Sequence, residues 1–340
     1  MRTITLCTVL SASILALTIS PRAISKLSAP FEGPNPGLVS ADAAWLVHID
    51  VEQALQTRLG RLLFDAGRAR LDFDAANIEN EIGIDPMREI KRVTAYGLST
   101  EGGPGVIILE ATPALDRIID ELKAEHGDVT TELLEGYEIL RWDQGVASIR
   151  ATGGDRRMLV FGPEDETLLL ALRVIDDAMP SLADVEHPVF NRSLRRGAFL
   201  SVQVPDAGVL RRKLADAAQD PPEMLRLTQA ASLQLGEHEG ISFLDSAFAV
   251  ESDKDAQDIA DVAQGLIAMG RLMLREEPDF AELEPIIRAI TIHAEGPQVR
   301  IVFELPADQL PQPGGPGDDD ASDGSPGSDN ESKDDSPGGL

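Results

Sequence analysis

One unit occurs twice in this chain. Residues 90–123 read as a strand with polar flanks (92–97), a glycine turn, an apolar strand (106–109) and a capped helix, and residues 232–269 repeat that order. In the second copy the strands are 232–235 and 241–250, the turn is 236–240, and the helix spans 253–275. Strands joined by such short turns run antiparallel, because a parallel return needs a crossover of roughly a dozen residues or more. The expected fold class is therefore α+β, with pseudo-duplicated, antiparallel-rich sheets and helices packed on one face.

The opening of each half supports the duplication. Residues 45–49 alternate as a strand closed by Asp50, which is placed to cap a helix carrying Val51, Leu55, Leu59, Leu62 and Leu63 at helical spacing. Residues 199–204 and Asp206 repeat the device ahead of Val209, Leu210 and Leu214. Two further hairpins are expected in the first half, 130–134 with 137–142 through Glu135-Gly136, and 146–151 with 157–161 through 152–155. The long helix at 253–275 is apolar around more than one stripe, which predicts a helix sandwiched between layers. A hairpin of 288–294 with 298–305 closes the body.

At 340 residues and 43% hydrophobic content, the chain can bury the core of one large domain or two small ones. Arg2 followed by the uncharged apolar run 6–19 reads as a secretory signal peptide, assigned to 1–25; the run is diluted by hydroxyl residues and short for a membrane anchor. A linker is assigned to 26–40, a first α+β half to 41–183, a second to 184–306, and an acidic tail to 307–340. The tail's Gly, Pro, Ser and Asp cannot bury enough apolar area to offset backbone ordering of about 1–2 kcal/mol per residue, so it is expected to be disordered. The only cysteine, Cys7, lies in the signal, so the mature chain is expected to have no thiol chemistry. These features predict an extracytoplasmic product, periplasmic or secreted, with no membrane span after cleavage.

A net charge of −28 disfavours nucleic acid and anionic lipid surfaces as partners, since both are bound through Lys and Arg. Aromatic residues are only 4% of the chain, which leaves few rings for stacking on bases or sugars.

Ala41-Asp42-Ala43 stands ahead of a strand ending at Asp50, and Gly83-Ile84-Asp85-Pro86 with Ile90 precedes Val93-Thr94-x-x-Gly97. With the second half repeating the plan, residues 41–306 resemble uncharacterised exported bacterial proteins of the planctomycete type, grouped as domains of unknown function. The shared motifs are structural punctuation, and the resemblance implies no active site.

Candidate chemistry is sparse. His48 and Asp50 project from the same face of the first strand, and a histidine beside a carboxylate can serve as an oriented base. Capping already explains Asp50 and no partner nucleophile is marked, so catalytic residues are unknown, with His48 and Asp50 as candidates only. His126, His187, His238 and His293 are scattered without zinc spacing, and 318–324 does not keep the ligands of a calcium loop together. No metal or cofactor is expected beyond weak divalent-cation attraction by the tail. Gly102–Gly105 reads as a strand-to-strand turn, and Ser99 lacks the second glycine of a nucleophile elbow. The clusters Arg156-Arg157, Arg195-Arg196 and Arg211-Arg212-Lys213 are expected to pair with neighbouring carboxylates.

The function these residues favour is an exported non-enzymatic binding or structural module acting on an envelope or extracellular partner. The alternatives are an extracytoplasmic hydrolase whose site assembles only in three dimensions, and a cell-surface spacer or matrix component whose tail binds cations weakly.

Overall fold

The computed structural model describes residues 34–71, 86–99, 105–125, 129–143, 145–152, 155–185, 194–206, 227–276 and 284–310. The signal segment, the start of the linker, the tail beyond Leu310 and the helix expected after Asp206 lie outside them.

The described strands form one antiparallel sheet of twelve, in the order β11-β12-β10-β9-β8-β1-β2-β3-β7-β6-β5-β4. In chain order they are β1 (Trp45–Asp50), β2 (Ile90–Gly97), β3 (Gly105–Ala111), β4 (Thr130–Leu134), β5 (Tyr137–Trp142), β6 (Gly145–Ala151) and β7 (Arg157–Gly162). They continue with β8 (Ala198–Val204), β9 (Ala230–His238), β10 (Ile241–Ala249), β11 (Ile290–Ala294) and β12 (Gln298–Pro306). The helices are α1 (Val51–Gln56), α2 (Arg58–Leu71), α3 (Pro86–Glu89), α4 (Ala114–Glu125), α5 (Asp165–Ile175), α6 (Asp253–Glu276) and α7 (Glu284–Arg288). Strands from 41–183 occupy one side of the sheet and strands from 184–306 the other. They meet where β1 pairs with β8, Leu46 opposite Gln203 and His48 opposite Ser201.

Period-two alternation sends the two faces of the sheet to different cores. Val93, Leu109 and Leu159 point to the face where α1, α2 and α4 place Val51, Ala54, Phe64 and Leu115. Tyr96, Val106, Ile108 and Val160 point to the opposite face, against Leu168, Ala171 and Leu172 of α5 and Val39 of the lead-in. The expectation of helices on one face is thus corrected. The apolar stripe of α5 packs on the even-numbered residues of β2, β3 and β7. Val39 is fully buried, and Ser40 bridges to Ser181, so the last residues of the assigned linker belong to the body.

Local sequence explains most element ends. The Asp50 carboxylate accepts the Gln53 amide at 2.8 Å, capping α1 as expected. The single helix expected after Asp50 breaks at Thr57, whose hydroxyl donates back to the Ala54 carbonyl at 2.8 Å. A new N-terminus starts there, and Glu237 of β9 caps it by accepting the amides of Arg58 and Leu59, each at 3.0 Å. The turn expected at 236–240 is shorter: β9 runs to His238, and Glu239 and Gly240 take the left-handed conformations of a tight hairpin. Gly236 lies within the strand because a Cβ there would sit 2.2 Å from the Gly197 carbonyl oxygen, at the register shift between β8 and β9.

Helix α6 packs Ala256, Ile259 and Ala260 against Ile292 and Val299. Val262, Leu266, Met269 and Leu272 are each more than half exposed, so it is covered on one side and not sandwiched.

Candidate functional site

Register places His48 in a line of directly paired residues crossing one face: Thr94 on β2, His48 on β1, Ser201 on β8, Gln234 on β9 and Asp245 on β10. All five are buried. His48 Nδ1 lies 2.9 Å from Thr94 Oγ1, and its Nε2 has no hydrogen-bond partner among the described residues. Burial, aided by the charge of Arg92, pushes its pKa down to about 4, so the ring is neutral at ordinary pH. Asp50 shares this face, as expected, but interacts elsewhere. One carboxylate oxygen caps α1, and the other lies 3.7 Å from Arg92 Nε. Burial raises its pKa against the opposing pull of the Gln53 amide and Arg92. His48 is therefore held by Thr94 and Asp50 by a helix end; among the described residues no hydrogen bond joins them as a base and its orienting acid.

The neighbouring line is charged. Arg150 on β6, Met158 on β7, Glu110 on β3, Arg92 on β2 and Asp50 on β1 are paired in succession. Part of this line floors an open cleft of about 690 Å³, walled by Asn35 and Leu38 before β1, Ile175 and Asp176 at the end of α5, and Ala151, Thr152 and Arg156 around the β6–β7 turn.

The groups in the cleft hold one another in place. Arg92 Nη1 donates to Glu110 at 3.2 Å, and Arg156 Nη1 stands 3.7 Å from the same carboxylate. Arg150 Nη2 lies 2.5 Å from Asp176, and its guanidinium carbon is 5.9 Å from the Tyr137 ring centre. The Tyr137 hydroxyl donates to Asp176 at 2.9 Å. Burial pushes the Asp176 carboxyl up, but the hydrogen bonds from Arg150 and Tyr137 together outweigh it and hold the pKa below the usual carboxylate range. Arg150 Nη1 is buried and has no hydrogen-bond partner among the described residues. This arrangement can hold an oxyanion. It offers guanidinium donors and a fixed carboxylate, with no nucleophile poised beside a base among the described residues.

The other sequence candidates are dispersed. Arg157 forms a two-pronged pair with Asp116 at 3.0 and 2.9 Å, and Arg195 reaches Glu304 at 2.5 Å while covering the Phe243 ring at 4.1 Å. The pairing expected of these clusters is found there; Arg211, Arg212 and Lys213 lie outside the described residues, as do His126, His187 and Gly102–Pro104. His238 lies 3.5 Å from Glu239, and His293 is on the edge strand β11. Among the described residues no group of three His, Cys, Asp or Glu side chains could hold a metal ion, and no helix is long and apolar enough to cross a membrane. Sequence reasoning missed Arg92, Glu110 and Arg150. Each is a polar alternate in an apolar strand, a visible signal, but their convergence depends on strand order, which the sequence does not state.

No family model matches the chain, and no curated protein matches it. Among solved structures, crystal form III of TP0453 is 13% identical, with a TM-score of 0.45 over 83% of this chain and 96% of that one. Crystal form IV gives 11% and 0.47 over 82% and 95%, and crystal form I gives 10% and 0.41 over 81% and 94%. With TM-scores below 0.5, these likenesses leave fold and function to be argued from the chain itself.

Proposed function

We propose that this protein is an exported, non-enzymatic binding module that holds a small ligand in the cleft over the Arg150–Met158–Glu110–Arg92 line. The observation that carries this reading is the cleft itself. Its volume falls in the range of small-molecule sites, its floor is a rigid sheet, and its polar groups are fixed by one another. His48 is joined through Nδ1 to Thr94 and Asp50 caps α1, so among the described residues the two form no base and orienting acid, which favours binding over hydrolysis. Export is inferred from Arg2 and the uncharged run that follows it.

We also infer that the body is two related halves joined at β1 and β8. Read outward from that seam, β1-β2-β3-β7-β6 and β8-β9-β10-β12-β11 share one connectivity, and each third strand is followed by a helix. Among the described residues, the first half adds β4 and β5, and its α5 walls the cleft.

Equilibrium dialysis of the full chain against a small-molecule extract, read by mass spectrometry, tests the binding reading. A compound retained and recovered chemically unchanged is the expected result. Turnover that is lost in His48→Gln, or no compound retained, would overturn it.

A further inference from the structure

We propose that the ligand of this cleft is a small anion bearing a carboxylate or phosphate group, recognised by Arg150 and Arg156. The inference rests on the binding reading above and names the chemistry of the same site. Three guanidinium groups (Arg92, Arg150, Arg156) and two carboxylates (Glu110, Asp176) line the cleft, and Asp50 stands 3.7 Å from Arg92 Nε, so the donors left for a ligand are those of Arg150 and Arg156. Glu110 is shared between Arg92 at 3.2 Å and Arg156 at 3.7 Å. The longer distance is attraction without a hydrogen bond, so this contact leaves the donors of Arg156 for another acceptor. Arg150 is held through Nη2 by Asp176, and its buried Nη1 has no hydrogen-bond partner among the described residues. A buried guanidinium donor without an acceptor is costly, and an oxyanion between Arg150 and Arg156 would satisfy it with charge-assisted hydrogen bonds. The cleft is far larger than a bare ion, and Leu38, Met158 and Ile175 supply apolar wall for the body of an organic acid or phosphate ester.

Isothermal titration calorimetry of the full chain with potassium phosphate and, separately, sodium succinate tests this. Saturable binding of either probe, weakening as salt is raised, is expected. Arg150→Gln should weaken it by about tenfold or more, as loss of a hydrogen bond to a charged group does. Arg156→Gln, at a more exposed side chain that the fold tolerates more readily, should act likewise. Arg157→Gln, whose partner Asp116 is outside the cleft lining, should leave affinity unchanged. Phosphate binding alone would assign a phosphoryl ligand, and succinate binding alone a carboxylate. Affinity unaltered in both cleft variants would overturn the proposal. Failure of both probes, with a neutral or cationic compound retained in dialysis, would overturn the anion assignment and leave the binding reading standing; with nothing retained, both fall.

Discussion

Acidification should weaken this fold through His48, by an amount the structure defines. The ring is buried among sheet residues and its folded pKa is about 4, against about 6.5 in an unfolded chain. Above pH 6.5 both states are neutral there, and the contribution to stability is complete. As pH falls from 6.5 towards 4 only the unfolded chain takes the proton, so stability drops; below about 4 both states are charged and the loss levels off. With those two values, about 2 kcal/mol is lost between pH 7.5 and pH 5, and about 3 kcal/mol once the loss is complete. Asp50, whose folded pKa is raised by burial, works in the opposite direction. The test is therefore the difference between the protein and His48→Gln. Denaturant unfolding curves at pH 7.5, 6 and 5 should show the wild-type chain losing about 2 kcal/mol more than the variant. Parallel losses in the two proteins would refute the reasoning, because His48 would then be accessible to protons in the native state.

Three further outcomes follow from packing and caps. Gly236→Ala should destabilise the fold by more than about 2 kcal/mol in chemical denaturation, because the added Cβ meets the Gly197 carbonyl and its Cα-bearing neighbours, which are backbone atoms that cannot step aside. Glu237→Ala should cost about 1 kcal/mol by uncapping α2, with loss of helical signal in circular dichroism on heating appearing earlier than in the wild-type chain. On α6, Ile259→Ala should cost about 2–4 kcal/mol, whereas Leu266→Ala on the exposed stripe should stay within about 0.5 kcal/mol; equal losses would mean that the stripe is covered in solution.

The contrast between Ile259 and Leu266 also marks where the sequence ceased to be informative. Periodicity identified the helix at 253–275 almost to the residue, yet its apolar residues on two sides could not say which side meets the sheet. Strands and turns were legible because alternation and glycine placement act locally: Glu135-Gly136 takes the paired left-handed conformations its hairpin needs, and Asp50 caps as its position implied. The order of strands was not legible. Ser201 opposite His48 and Arg150 in line with Glu110 are separated by 153 and 40 residues in the chain, and nothing local specifies those pairings. The cleft inherits that difficulty. His48 and Asp50 drew attention because they are neighbours in sequence, while Arg92, Glu110, Arg150 and Arg156 come together only after β3 has paired with β7 and β7 with β6.

The most direct test of the central claim is the crystal structure of the full chain grown with whichever of succinate or phosphate binds in solution. The account predicts an oxyanion against Arg150 Nη1 and the Arg156 guanidinium, over Met158, with the Arg150–Asp176 and Arg92–Glu110 pairs intact. An empty cleft with Arg150 Nη1 turned onto a protein acceptor, or the anion held elsewhere on the molecule, would contradict it.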